Sequence, residues 1–211
     1  MKKEYLLILT LISITFCSCE NDFDIFEGKD YYKFTSSDNE YLFKNYKNIG
    51  EIKKFTNQNN ETFEIEVQDY RIDKESTGLL SPGELYYYEQ LVILLKLKDV
   101  NSNCNTITIL VTKNKDGTLW TKITIPSFDR NSCGGIIYYY KHPEQIEYEI
   151  IELNIGNKSY KNVLVFEADP PLTKHLTFYE NSTIDKVYFD LNEGIIGFDD
   201  INNDLKFRLE N

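Results

Sequence analysis

From about residue 61 to the C-terminus, apolar and polar residues alternate along this 211-residue chain in a run of short segments. Glu61–Asp73 sets Phe63, Ile65 and Val67 on one side and mostly polar residues on the other, the pattern of a half-buried strand. Asn105–Lys113 and Thr118–Pro126 repeat it on either side of Asn114-Lys115-Asp116-Gly117, and Asp-Gly between two alternating runs predicts a tight hairpin. Further strands are predicted over Ile136–Lys141, Ile146–Leu153, Ser159–Ala168, Leu176–Glu180, Ile184–Leu191, Gly194–Phe198 and Leu205–Leu209. Gly156-Asn157, Glu193-Gly194 and Asn202-Asn203 supply turns between them. Strands at this spacing without helical periodicity predict a mainly β, single-domain antiparallel meander. So many strands in one open sheet tend to curl, which makes a curved sheet or half-open barrel the expected shape.

One segment reads two ways. Ser81-Pro82-Gly83-Glu84 has the spacing of a helix capping box, and Leu85–Asp99 is long enough for about four helical turns. Tyr86, Tyr87, Tyr88, Val92 and Ile93 favour the extended state, so a long strand is expected there. No repeat or low-complexity linker divides the chain, and Asp169-Pro170-Pro171 reads as a rigid corner. Little helix is expected beyond the N-terminal segment.

That segment follows a different rule. Lys2 and Lys3 precede an uncharged, mostly apolar run, Tyr5–Phe16, of 12 residues. About 20 are needed to span a bilayer, so this is read as the core of an export signal. The run leads into Phe16-Cys17-Ser18-Cys19, which resembles a bacterial lipobox. Ser18 is small enough for cleavage before Cys19, whereas Cys17 follows the bulky Phe16. Residues 1–18 are thus expected to be a signal peptide, Cys19 the lipid attachment site, 19–30 an acidic tether and 31–211 the β-rich domain. Acidic residues directly after Cys19 resemble the surface-export signal of Bacteroidota lipoproteins. The stretches KVYFDLNEGIIGFDDINNDLKFRLEN and YKNIGEIKKFTNQNNETFEIEV resemble parts of small Bacteroidota lipoproteins of uncharacterised function. This resemblance implies a palmitoylated lipoprotein at the outer membrane, on its periplasmic or surface face, with a mostly β fold. It carries no catalytic residue across.

Charge narrows the partners. Removing residues 1–18 takes two lysines and one glutamate from 23 basic and 34 acidic residues, which leaves a formal charge of −12. That field repels nucleic acid and anionic headgroups and leaves a basic protein or a neutral glycan as candidate partners. Cys104 and Cys133 are the remaining thiols after acylation of Cys19. An oxidising compartment would bridge them around a loop of about 30 residues, worth roughly 3.5 kcal/mol in the chain-entropy model.

Candidate chemistry is sparse. His142 and His175 stand apart with no metal-ligand spacing, and neither Cys104 nor Cys133 has a CxxC partner, so no metal or cofactor is predicted. Asp200-Ile201-Asn202-Asn203-Asp204 opens like a calcium loop but lacks its glycine and its closing glutamate, and reads as a polar turn. Glu64/Glu66 and Glu147/Glu149 each share a strand face, as carboxylates of a hydrolase would and as any exposed face also would. No nucleophile elbow, dinucleotide fingerprint or phosphate loop occurs, which turns the reading away from an enzyme and towards a binding or scaffolding module. Tyrosine clusters at Tyr31-Tyr32, Tyr86–Tyr88 and Tyr138–Tyr140. Consecutive strand residues point to opposite faces, so each triplet must present tyrosine outward. Tyr86, Tyr88, Tyr138 and Tyr140 are the expected contacts for a glycan, lipid or protein ligand.

Overall fold

The fold was obtained as a computed structural model that describes residues 30–77, 85–98, 105–129, 132–142, 149–167, 177–179, 182–184, 186–200 and 203–210. Residues 1–29, with the export signal, Cys19 and the tether, lie outside the described residues, as do Ser81–Glu84, Cys104, Glu147 and His175. From Tyr31 to Asn211 the chain makes one compact unit.

Fourteen strands are described: β1 (Tyr31–Tyr32), β2 (Ile52–Thr56), β3 (Thr62–Ser76), β4 (Tyr87–Leu97), β5 (Thr106–Lys113), β6 (Leu119–Asp129), β7 (Ser132–His142), β8 (Ile150–Ile155), β9 (Lys158–Glu167), β10 (Thr177–Tyr179), β11 (Ser182–Thr183), β12 (Lys186–Asp190), β13 (Gly194–Asp200) and β14 (Leu205–Leu209). All but β10 and β11 join a single curled sheet that forms a half-barrel, antiparallel apart from the short β1. The Leu85–Asp99 ambiguity resolves as the long strand β4. The sheet order is β7-β6-β5-β4-β3-β2-β14-β13-β12-β9-β8. Two meanders therefore start from opposite edges and meet where β2 pairs with β14 (Arg208 opposite Thr56, Leu209 opposite Phe55).

Alternation puts one residue set inside. Ile65 and Val67 of β3, Leu91, Ile93, Leu95 and Leu97 of β4, Ile107, Ile109 and Val111 of β5, and Ile123 and Ile125 of β6 all face a common core. The curl brings the two edges of the sheet face to face across it. Tyr138 of β7 stacks on Phe166 of β9, with centroids 4.6 Å apart, and Tyr140 approaches Phe189 of β12. The lumen is thus filled by side chains.

The segment between β1 and β2 closes one end. On β4, β5 reaches only to Gln90, and β1 takes the positions beside Tyr87 and Tyr88. The chain then turns through two 3-10 helices, Ser36–Tyr41 and Lys44–Tyr46, which bury Leu42, Phe43 and Tyr46. A buried ion pair holds this plug. Lys113 Nζ donates to both Asp38 oxygens (3.0 and 2.9 Å) and to the Gly117 carbonyl (2.8 Å). At the other side Tyr46 Oη accepts a bond from Ile195 N–H at 3.0 Å. Gly194, at φ +85°, lies so close that a Cβ there would sit 2.5 Å from the Tyr46 ring.

A smaller apolar cluster forms on the outer face of the second meander, from Ile155, Tyr160, Val163, Val165, Tyr188 and Ile196. Gly197 leaves room for the Arg208 side chain, which lies over the Tyr188 ring at 4.5 Å and donates to Asp199 at 2.7 Å.

Candidate functional site

The outer face of β5, β6 and β7 differs from the rest of the surface. The residues out of phase with the core there are Thr106, Thr108, Leu110 and Thr112 on β5, Trp120, Lys122 and Thr124 on β6, and Ile137, Tyr139 and Lys141 on β7. Three of these are large and half in solvent: Trp120 at 49%, Tyr139 at 50% and Ile137 at 44%. Single exposed apolar residues are ordinary on a protein surface, but a group of them marks an interaction site. The other exposed large residues, Ile49, Ile52, Ile72 and Ile150, lie away from β5–β7.

Register fixes the geometry. Trp120 is opposite Lys141 and Lys122 is opposite Tyr139, so aromatic and cation exchange places between successive rungs of the β6–β7 ladder. Trp120 and Tyr139 are therefore diagonal neighbours, about 7–8 Å apart at the backbone. Thr112 flanks Trp120, and Thr124 stands between Thr108 and Ile137. Lys122 Nζ lies 5.9 Å from the Tyr139 ring centre, within cation–π range. Lys141 bridges to Asp116 of the β5–β6 turn at 3.1 Å. Two bonds from Thr118, one from its hydroxyl and one from its N–H, hold the Asp116 carboxyl down at about 2, with help from Lys141. Asp116 thus stays charged, and its charge is already engaged.

Each tyrosine expected to touch ligand has a definite place. Tyr138 and Tyr140 are 5% exposed and belong to the core, which corrects the expectation for both. Their parity matches the inward Ile123 and Thr121 of β6, opposite which they lie. Tyr139, the middle residue of that triplet, faces outward instead. Tyr86 and Tyr88 are half-buried at the start of β4, where Tyr86 meets Tyr32 edge to face at 5.5 Å and lies 6.0 Å from Tyr88. Nearby Tyr31 donates to Glu89, and burial together with that carboxylate raises its hydroxyl above the usual range. This cluster binds β1 to β4 and leaves little open ring surface. Trp120, the sole tryptophan, was not singled out from sequence. Its signal was there: in Leu119-Trp120-Thr121-Lys122-Ile123 it shares parity with Lys122, on the polar side.

The other candidates that are described lie in packing and polar contacts. Glu64 and Glu66 face outward on β3 directly opposite Lys54 and Lys96. His142 packs on Tyr41 with ring centres 3.9 Å apart, and burial lowers its pKa. Asp200 accepts bonds from the Asn203 N–H and side-chain amide. No cluster able to hold a metal occurs among the described residues. The side chains of Cys104 and Cys133 lie outside the described residues. An open cleft of about 630 Å³ runs between the plug and the β12–β13 turn, lined by Ser36, Ser37, Asn39, Glu40, Asn192 and Glu193 among others. It contains no aromatic surface, and Glu193 there is already bonded to Asn45 and Lys158. No helix among the described residues is long and apolar enough to cross a membrane.

The chain matches no protein-family model, no curated protein and no solved structure.

Proposed function

We propose that this chain is a lipid-anchored binding module of the bacterial cell envelope, without catalytic activity, whose ligand surface is the outer face of β5–β7. The observation that carries the binding reading is the adjacent exposure of Trp120, Tyr139 and Ile137 on one sheet face. They lie on the face opposite the core, whose cluster does not include them. The anchor rests on the export signal and on Ser18-Cys19, with Cys19 acylated and a short acidic tether to the domain. In that oxidising setting Cys104 and Cys133 would be bridged. A partner drawn by the overall negative charge would have to dock elsewhere, since the local charge of this face is positive.

Two measurements test the reading. Trp120 reports from the middle of the face, so its fluorescence in the mature protein should respond when envelope polysaccharides, proteins or lipids are titrated in. A response to none of them rejects the binding face. Metabolic labelling with a fatty acid should mark the protein, and Cys19→Ala should abolish the label and release the chain from the membrane fraction. An unlabelled wild type rejects the anchor.

A further inference from the structure

We infer that the outer face of β5–β7 binds an anionic polysaccharide, a chain of sugar rings bearing uronate or similar acid groups. This inference rests on the binding face proposed above and names the class of its ligand.

The first argument is charge. The full chain carries a formal charge of −11, yet the ten outward side chains described on β5, β6 and β7 include two lysines and no carboxylate. Asp116, at the rim, is committed to Lys141 and Thr118. In a strongly acidic protein, a face whose two lysines outnumber the one carboxylate at its rim, a local charge of +1, lowers repulsion at that place. That suits a ligand which is itself negative.

The second argument is the order of side chains. Trp120 with Lys141, then Lys122 with Tyr139, place an aromatic ring beside a cation on two successive rungs. A pyranuronate has an apolar C–H face that stacks on an aromatic ring and a carboxylate at its rim. Two neighbouring sugar units could thus each stack on one ring, one meeting the Lys122 ammonium and the other the Lys141 ammonium, which it shares with Asp116. Thr108, Thr112 and Thr124 add hydroxyls that can donate to or accept from sugar hydroxyls. Among the described residues the face is open, so it accepts a chain that runs through rather than a single enclosed sugar.

Other acidic ligands fit less well. A nucleic acid brings a full charge on every nucleotide against the two lysines of this face, whereas a polysaccharide can carry its acid groups on only some of its sugars. A protein partner would use the same aromatic residues, but the paired order of ring and cation along the ladder gives it no particular advantage, whereas it matches the repeat of an acidic sugar chain.

Affinity electrophoresis of the mature protein through gels containing polygalacturonate, or neutral dextran at the same mass, provides the test. Polygalacturonate should retard the wild type at least tenfold more strongly than dextran, and the retardation should fall as salt rises. Trp120→Ala and Tyr139→Ala should each weaken it about tenfold or more, and the Lys122→Gln/Lys141→Gln double variant several-fold. All these side chains lie on the surface, so unchanged circular dichroism and melting should accompany each loss. Equal retardation by dextran, or no effect of the lysine changes, would overturn the anionic preference while leaving a binding face. Retardation by polygalacturonate that survives Trp120→Ala would place binding elsewhere and overturn the inference. If no polysaccharide binds but Trp120 fluorescence responds to a protein, the ligand class is wrong and the binding module stands.

Discussion

Replacing Lys113 by Met should loosen the plug that closes the barrel. Lys113 and Asp38 side chains are each 9% exposed, so neither charge has water to fall back on. The ammonium makes three bonds, two to Asp38 and one to the Gly117 carbonyl. Without it, Asp38 keeps only the Thr35 N–H (2.6 Å) and the Thr35 hydroxyl (2.9 Å). An uncompensated buried charge of this kind costs about 3–5 kcal/mol, a large part of the stability of an ordinary domain. Lys113→Met combined with Asp38→Leu removes both charges, and its cost should fall short of the sum of the two single changes by about 2 kcal/mol. Equilibrium urea unfolding followed by far-UV circular dichroism reads all four proteins. The acid limb carries the same information. Burial by itself would raise the Asp38 carboxyl, but bonds from Thr35 and Lys113 outweigh it and hold it below the usual range. A carboxyl depressed in the folded state adds stability above its unfolded pKa of about 3.9, and that stability is lost as pH falls through the lower folded value. Asp38→Asn should therefore flatten the acid limb of the stability profile. A cost under about 1 kcal/mol for Lys113→Met, or strict additivity in the cycle, would refute the plug as a latch.

Three further outcomes follow from the packing. Gly194→Ala must fit a methyl 2.5 Å from the Tyr46 ring at φ +85°, so urea unfolding should show a loss of about 2 kcal/mol or more. Tyr46→Phe deprives the buried Ile195 N–H of its acceptor and should cost about 1–3 kcal/mol with little change in shape. Burial, reinforced by the Asp199 carboxylate, pushes Tyr188 up to about 12, and burial raises Tyr46 and Tyr140 as well. A tyrosine raised in the fold stabilises it fully below the unfolded pKa of about 10 and loses that contribution as pH climbs through the folded value. Stability should thus decline above about pH 10, and a spectrophotometric titration should show a late-ionising group that Asp199→Asn moves earlier.

The fold was legible where local rules and burial agree. Asp116-Gly117 gave the β5–β6 hairpin because its backbone demand is local: Gly117 sits at φ +84° and Asp116 caps Thr118. β3 and β4 were legible because a half-buried strand must alternate, and the β-branched and aromatic content of Leu85–Asp99 outweighed its capping box. β2 was not. In Ile-Lys-Lys-Phe-Thr only Phe55 is buried, and Ile52 points to solvent, so no alternation exists to be read. The plug was missed for a related reason, since 3-10 turns have no periodicity over so few residues and Asp38 looks like any surface acid until Lys113 meets it. The meeting of β14 with β2 depends on contacts more than 140 residues apart in sequence, which no local pattern encodes. For the candidate site, parity required outward tyrosine in each triplet but could not choose which. The choice at Tyr138–Tyr140 was set by Phe166 and Phe189, partners on strands from the opposite edge of the sheet.

Hydroxyl-radical footprinting read by mass spectrometry tests the central claim most directly, because aromatic side chains oxidise in proportion to their exposure. In the free mature protein, Trp120 and Tyr139 should label rapidly while Tyr138 and Tyr140 are spared, and saturating polygalacturonate should protect Trp120 and Tyr139 together. Rapid labelling of Tyr138 and Tyr140, or undiminished labelling of Trp120 and Tyr139 with polysaccharide bound, would contradict the account.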